Sequence, residues 1–240
     1  MSLPVKVPIL MYHKIERVNR RSLVPGHYVS PSLFKKQMAV LAALGYTPVA
    51  LSSLYREEVK LPRKPIVITF DDGYVNYLTN ALPILQSQKF VATVFLVANL
   101  LDGTNVWDVK LGDVEERLMS VDQILECHRL GTEFGSHTLD HADLDAVSKD
   151  EARRQIVESK SKLESDLGIP IETFCYPYGR KNRDVMQMVQ DAGYRLACST
   201  EKGINTESTD RFALRRINVR RDTSVPVFVM KLLRGQRHER

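Results

Sequence analysis

Short runs rich in Val, Ile, Thr and Phe alternate along this chain with stretches whose apolar residues recur at helical spacing. That alternation restricts the fold to βα units around a parallel sheet. The extended runs are Val5 to Tyr12, Tyr46 to Ala50, Pro65 to Phe70, Phe90 to Val97, Thr132 to Gly135, Thr173 to Tyr176, Tyr194 to Ser199 and Phe212 to Val219. The fourth is almost wholly apolar, as a strand covered on both faces requires. Helix signals lie between them. Ser30-Pro31 offers an N-cap and a proline at the first helical position, ahead of the stripe Phe34, Met38, Leu41 and a stop at Gly45. Ser52 to Val59 reads as a short helix, and a helix bearing Leu78, Leu82 and Leu85 is expected to be irregular at Pro83. Ser120 with Gln123, and Ser148 with Glu151, read as capping boxes, the second opening a long helix that ends at Gly168. Arg183 to Ala192 and a C-terminal segment complete the helices. Seven or eight strands alternating with helices in 240 residues predict a closed or nearly closed β/α barrel.

A hydrophobic content of 43% supports one sizeable core, so residues 1–240 are expected to form a single domain. No segment is compositionally biased and no repeat is visible, which argues against linkers and solenoids. The net charge of +5 draws on Arg215, Arg216, Arg220, Arg221, Arg234, Arg237 and Arg240. Without interleaved aromatics these do not make a nucleic-acid surface. Cys127, Cys175 and Cys198 lack metal-ligand spacing and read as buried free thiols. No apolar stretch approaches the ~20 residues of a membrane span, and Met1 to Met11 lacks the long apolar core of a signal peptide. As written the chain reads as cytoplasmic; it reads as exported if Met1-Ser2-Leu3 stands in place of a removed leader.

Four segments carry candidate chemistry. Thr69-Phe70-Asp71-Asp72-Gly73-Tyr74 places two adjacent carboxylates at the C-terminal end of a buried strand, the end at which barrel enzymes build active sites. In an extended segment neighbouring side chains diverge, so one carboxylate can face a cation while the other faces another part of the site. The plain alternative is a solvated Asp-Asp-Gly turn. His137-Thr138-Leu139-Asp140-His141 again follows a strand, and in a helical turn its i, i+4 spacing would put both imidazoles on one face. Two histidines with one carboxylate form a ligand set that leaves open positions on zinc or another first-row metal, which points to metal-assisted hydrolysis. In Phe174-Cys175-Tyr176-Pro177-Tyr178-Gly179 a proline turn brings the Tyr178 N–H within reach of a developing oxyanion, or serves only as a rigid βα turn. Met11-Tyr12-His13 ends the first strand, and a histidine there is placed to protonate a leaving amine if the other three segments share its rim.

Together these segments resemble the polysaccharide deacetylase family, also called NodB-homology proteins or carbohydrate esterase family four. Thr69 to Tyr74 resembles its first motif, His137 to His141 its second, and Tyr176 to Gly179 part of its third. The resemblance implies a distorted (β/α)7 barrel and the removal of N-acetyl groups from an N-acetylated glycan. It implies Asp71 as general base, Asp72, His137 and His141 as ligands of a divalent metal, with Zn2+ foremost and Co2+, Ni2+ or Fe2+ as alternatives, and Tyr178 as the oxyanion donor. The sequence departs from the family pattern twice. Cys175 stands where an arginine commonly begins the third motif, which implies that the ion pair orienting the catalytic aspartate is missing. Leu214-Arg215-Arg216-Ile217-Asn218 stands where a Leu-x-His supplies the general acid. The leading Met11-Tyr12-His13 is similar to the branch that deacetylates biofilm poly-N-acetylglucosamine, which implies His13 as the acid. Arg215 and Arg216 are then candidates to line the rim and bind acidic groups of a glycan. Two other readings compete: a glycan-binding protein that keeps the barrel without turnover, and a hydrolase of another amide such as a cyclic imide.

Overall fold

The computed structural model describes residues 6–56 and 58–234. The readings placed on Met1 to Val5, Arg237 and Arg240 fall outside them. In chain order the strands are β1 (Ile9–Tyr12), β2 (Lys14–Ile15), β3 (Tyr28–Val29), β4 (Thr47–Pro48), β5 (Pro65–Phe70), β6 (Thr93–Leu96), β7 (Glu133–Ser136), β8 (Thr173–Cys175), β9 (Leu196–Lys202) and β10 (Leu214–Asn218). The α-helices are α1 (Pro31–Ala43), α2 (Leu82–Ser87), α3 (Val106–Val109), α4 (Val121–Arg129), α5 (Lys149–Leu167), α6 (Arg183–Asp191) and α7 (Val225–Arg234).

Parallel pairing runs β1-β10-β9-β8-β7-β6-β5 and returns from β5 to β1, so seven strands close into a ring. The ring is uneven. Only three residues form β8, and the register of β9 with β10 slips between Leu214 and Arg216. Alternation of side chains across each strand divides the apolar residues into two sets. Ile9, Val67, Phe95, Cys175, Leu196, Cys198 and Leu214 pack together in the lumen, closed from below by Leu51 and Leu54. Leu10, Ile66, Ile68, Val94, Phe134, Phe174 and Ile217 face outward and pack under the helices.

The local signals act largely as expected. Ser30 Oγ accepts from the Leu33 N–H and Pro31 opens α1, while Ser120 and Gln123 exchange both bonds of a capping box on α4. At α5 only half the box forms: Ser148 accepts from the Glu151 N–H, but the Glu151 carboxylate turns to Arg154 and Gln155. Ahead of Pro83 the helix widens into a π-turn over Tyr77–Ala81, the irregularity expected where proline removes a backbone donor. Ser52 to Val59 reduces to a 3-10 turn at Leu51–Leu54, whose leading N–H groups are taken by Thr93 and Glu133.

The lumen leaves no room for a side chain at Gly135 on β7, where a Cβ would lie 2.4 Å from Thr173 Oγ1 and 2.7 Å from the Phe95 ring. Phe95 therefore fills the barrel at the cost of a glycine opposite it. Gly135→Ala is expected to destabilise the fold by about 1–3 kcal/mol through overpacking. Urea unfolding checks this; an unchanged midpoint would show that Phe95 is free to move aside.

Candidate active site

The C-terminal ends of β1, β5, β7 and β8 bring all four sequence motifs to one mouth of the barrel. Asp71 is the first residue beyond β5, tied by its N–H to the Tyr12 carbonyl at 3.0 Å. Asp72 is not extended, as expected from the sequence, but left-handed, with φ 77°. The two side chains still diverge, now because of this backbone reversal. Residues 137–141 do not form a helical turn either: Thr138 and His141 have φ of 68° and 60°. The turn is fixed from α5, where Gln155 Oε1 accepts from the Leu139 and Asp140 N–H groups. Four of the described non-glycine residues with positive φ, Asp72, Thr138, His141 and Tyr178, lie in these motifs. Such conformations cost about 1–3 kcal/mol each and tend to gather at functional sites.

The three expected metal ligands converge. Asp72 Oδ1 lies 3.5 Å from His137 Nε2 and 3.4 Å from His141 Nε2, and all three residues are buried. Burial lowers the pKa of both histidines to about 4, so near neutral pH these contacts are not ion pairs. His137 Nδ1 lies 2.7 Å from the Cys175 carbonyl, which can only accept. The Nδ1 therefore carries the hydrogen and Nε2 presents a bare lone pair toward Asp72. His141 is braced by the Tyr178 hydroxyl, 3.2 Å from its Nδ1, and by Trp107 of α3, stacked on its ring at 4.3 Å. Asp72 Oδ1 is buried without a hydrogen-bond partner, and burial followed by the Asp71 charge pushes its pKa up despite His137. An unpartnered carboxylate oxygen, the bare Nε2 of His137, and an Nε2 of His141 that presents its lone pair when Nδ1 donates to the Tyr178 hydroxyl, all aimed at one point, fit a divalent cation. A second grouping, Asp71 with His137 and Cys175, fits one poorly. Its carboxylate is already paired, and burial pushes the Cys175 thiol up, away from the thiolate a metal requires.

The partner of Asp71 corrects the sequence reading. The aspartate does have an orienting arginine, and it comes from β10. Arg216, fully buried, donates from Nη1 to Asp71 Oδ1 at 2.6 Å and from Nη2 to Oδ2 at 2.8 Å. Its other donors reach the Ser199 carbonyl, Thr69 Oγ1 and Cys175 Sγ. Cys175 replaces the arginine expected on β8 with a small side chain that leaves the lumen open to a guanidinium arriving from β10, two strands round the ring. Arg216 therefore does not line the rim, whereas Arg215, next to it, is exposed. Burial alone would raise the Asp71 pKa; the charge and hydrogen bonds of Arg216 outweigh it and hold the carboxyl well below the usual carboxylate range.

His13 lies on the other side of Asp71, its Nε2 3.8 Å from Oδ2. Burial and the nearby His27, with Arg216 and His137, depress its pKa well below the ordinary imidazole value, against the opposing pull of Asp71. Tyr178 sits in a 3-10 turn with φ 59°, its side chain about half exposed at 49%. Gly179 lets this turn press on β9: a Cβ there would meet Thr200 Oγ1 at 1.9 Å. Sequence reasoning missed Arg216 as the partner of Asp71, Trp107 and His27. It also missed Lys14, a buried ammonium lying over the Tyr28 and Tyr74 rings at 4.8 and 4.6 Å.

Residues 58–197 match the model of the polysaccharide deacetylase family, more than half of the chain. The chain belongs to that family. Among curated members, it is 24% identical to a poly-β-1,6-N-acetyl-D-glucosamine N-deacetylase of Staphylococcus aureus, with 89% of this chain aligned to 78% of that one. It is 25% identical to the Escherichia coli protein of the same name, where 87% of this chain covers only 36% of the longer relative. Among solved structures, the Streptococcus pyogenes deacetylase PplD in complex with acetate superposes with a TM-score of 0.82 at 27% identity, covering 95% of this chain and 99% of that one.

Within this deacetylase barrel the Arg216–Asp71 pair can be tested directly. Arg216→Met leaves a buried carboxylate unpaired and is expected to destabilise the protein by about 3–5 kcal/mol near neutral pH. Because folding lowers the Asp71 pKa, the pair's contribution is present above the unfolded value of about 3.9 and is lost as pH falls through the folded one. Without Arg216 burial raises the Asp71 pKa, so the variant's carboxyl takes up its proton above the ordinary carboxylate range while the wild-type one stays ionised. Urea unfolding of both proteins is therefore expected to show a gap that already narrows as pH falls from neutrality toward about 4 and continues to narrow below it; a gap independent of pH would contradict the assignment.

Proposed function

We propose that this chain is a metal-dependent hydrolase that removes acetyl groups from an N-acetylated sugar polymer or glycan precursor, with residues 1–240 acting as one deacetylase domain. The observation that carries the reading is Asp72 Oδ1, buried and unpartnered between two imidazole nitrogens and next to a carboxylate held ionised. Asp72, His137 and His141 would hold the cation, Zn2+ foremost by the chemistry of the donor set, with Co2+, Ni2+ and Fe2+ as alternatives. A bound cation supplies Lewis acidity, lowering the pKa of a coordinated water and polarising the acyl oxygen.

The chain's own residues carry the proton traffic. Asp71 takes the proton of the attacking water. Arg216 keeps it a carboxylate in a place where burial would otherwise protonate it, and the same pairing limits its basicity. The Tyr178 N–H donates to the oxygen that becomes negative as the acyl carbon turns tetrahedral. When the C–N bond breaks, its electron pair stays on nitrogen, and the proton that Asp71 took from the water passes to His13, 3.8 Å away, and from His13 to that nitrogen. With a depressed pKa, His13 releases that proton readily once it has gained it. Acetate leaves, and an amino sugar remains.

The non-catalytic glycan-binding reading drew on the absence of an arginine for Asp71 and of the C-terminal Leu-x-His; Arg216 answers the first, and the second rests on His13 taking the acid's place. No helix among the described residues is long and apolar enough to cross a membrane.

Two measurements test the proposal. Acetate release from N-acetylglucosamine oligomers is expected to vanish when the metal is chelated and to return with zinc or cobalt; activity indifferent to chelation contradicts it. Asp71→Asn is expected to lower kcat by about 10²- to 10⁴-fold with metal content unchanged, the range for loss of a positioned base. An Asp71→Asn variant with wild-type turnover removes Asp71 from its role.

A further inference from the structure

The acid side of the site contains two imidazoles, and only His13 was visible in the motifs. His27 ends a 3-10 turn (Pro25–His27) between β2 and β3, and its ring stacks on that of His13 with centroids 4.0 Å apart and planes 13° apart. Among the described residues no hydrogen bond holds the His13 ring, and its approach to Asp71, at 3.8 Å, is longer than one. The stacked His27 ring is the one aromatic contact of the His13 ring among the described residues. The turn that carries His27 packs against Arg220 and Arg221. The Arg221 N–H donates to the Gly26 carbonyl at 3.2 Å, and the Arg220 guanidinium occupies the space that a Cβ on Gly26 would need, 2.3 Å away. His27 Nδ1 is buried without a hydrogen-bond partner, so no bond of its own at that atom explains why a histidine sits here.

We propose that His27 is a positioning residue for the deacetylation step: stacked on His13, it holds that ring in the orientation from which its proton reaches the departing nitrogen. The proposal rests on the assignment of His13 as the acid. His13 is faced by Asp71, Arg216, His137 and His27, and His27 in turn by Asp72, Lys14, Arg220 and Asp71.

The test compares the zinc-loaded full chain with His27→Ala, His27→Leu and His27→Phe on two substrates. The first is an N-acetylglucosamine oligomer, whose nitrogen must be protonated to leave. The second is 4-nitrophenyl acetate, whose phenolate leaves without a proton. For His27→Ala the oligomer kcat is expected to fall about tenfold or more with KM changed less than about twofold, while ester hydrolysis falls less than about threefold, the pattern of a misplaced general acid. His27→Leu, which fills the space without a flat face, is expected to behave alike and substitutes for the alanine variant if that does not fold. His27→Phe restores the face and is expected to recover the oligomer kcat to within about threefold of wild type. Equal losses on both substrates would assign His27 a structural or metal-site role, and an undiminished oligomer rate, or no rescue by phenylalanine, would likewise overturn the proposal. If the wild-type protein releases no acetate from the oligomer, the deacetylase reading itself fails; if it does and the variants match it, only the role of His27 falls.

Discussion

The site depends on one buried ion pair. Asp71 and Asp72 are chain neighbours, yet their carboxylates are driven in opposite directions: Arg216 holds the first ionised, while burial and the charge of the first raise the pKa of the second. Two ionised carboxylates side by side in a buried site repel each other. Arg216 offsets one charge, and the cation we propose for Asp72, His137 and His141 would offset the other. The lumen of the barrel is shaped for that arginine. It enters from β10, passes 5.9 Å from the Phe95 ring and ends against Asp71, with the small Cys175 beside it. A buried guanidinium is costly to desolvate, and here its donors reach Asp71, the Ser199 carbonyl, Thr69 and Cys175.

Much of this was legible before any coordinates. The strands, the capping residues and the placement of Asp71, Asp72, His137 and His141 follow from periodicity and turn chemistry, because each is a local property of the chain. The Pro65 to Phe70 run is a strand with the same bounds in the structure. What sequence could not supply is pairing across the barrel. Asp71 and Arg216 are separated by 145 positions, and no local pattern distinguishes Arg216, turned into the lumen, from Arg215, turned to solvent. Alternation along β10 says that the two face opposite ways without saying which faces in. A small, neutral Cys175 on β8 was the one available signal that a charge for Asp71 must come from elsewhere.

Backbone conformation was the second blind spot. The histidine pair was expected on a helical turn, and it converges instead through left-handed residues at Thr138 and His141, held by Gln155 from α5. Spacing alone suggested the right partners by the wrong geometry. Trp107 and His27 escaped for a related reason: each acts by stacking on a site histidine, and stacking partners leave no spacing signature.

We propose that the three converging side chains of Asp72, His137 and His141 grip a divalent cation at this mouth of the barrel. Anomalous diffraction at the zinc edge, from crystals of the zinc-loaded protein, addresses it directly. A single strong peak about 2.0–2.2 Å from an Asp72 oxygen and from Nε2 of both His137 and His141 is the expected result. Zinc bound instead at the Asp71–Cys175 side, or stoichiometric zinc with no peak near Asp72, would contradict the account.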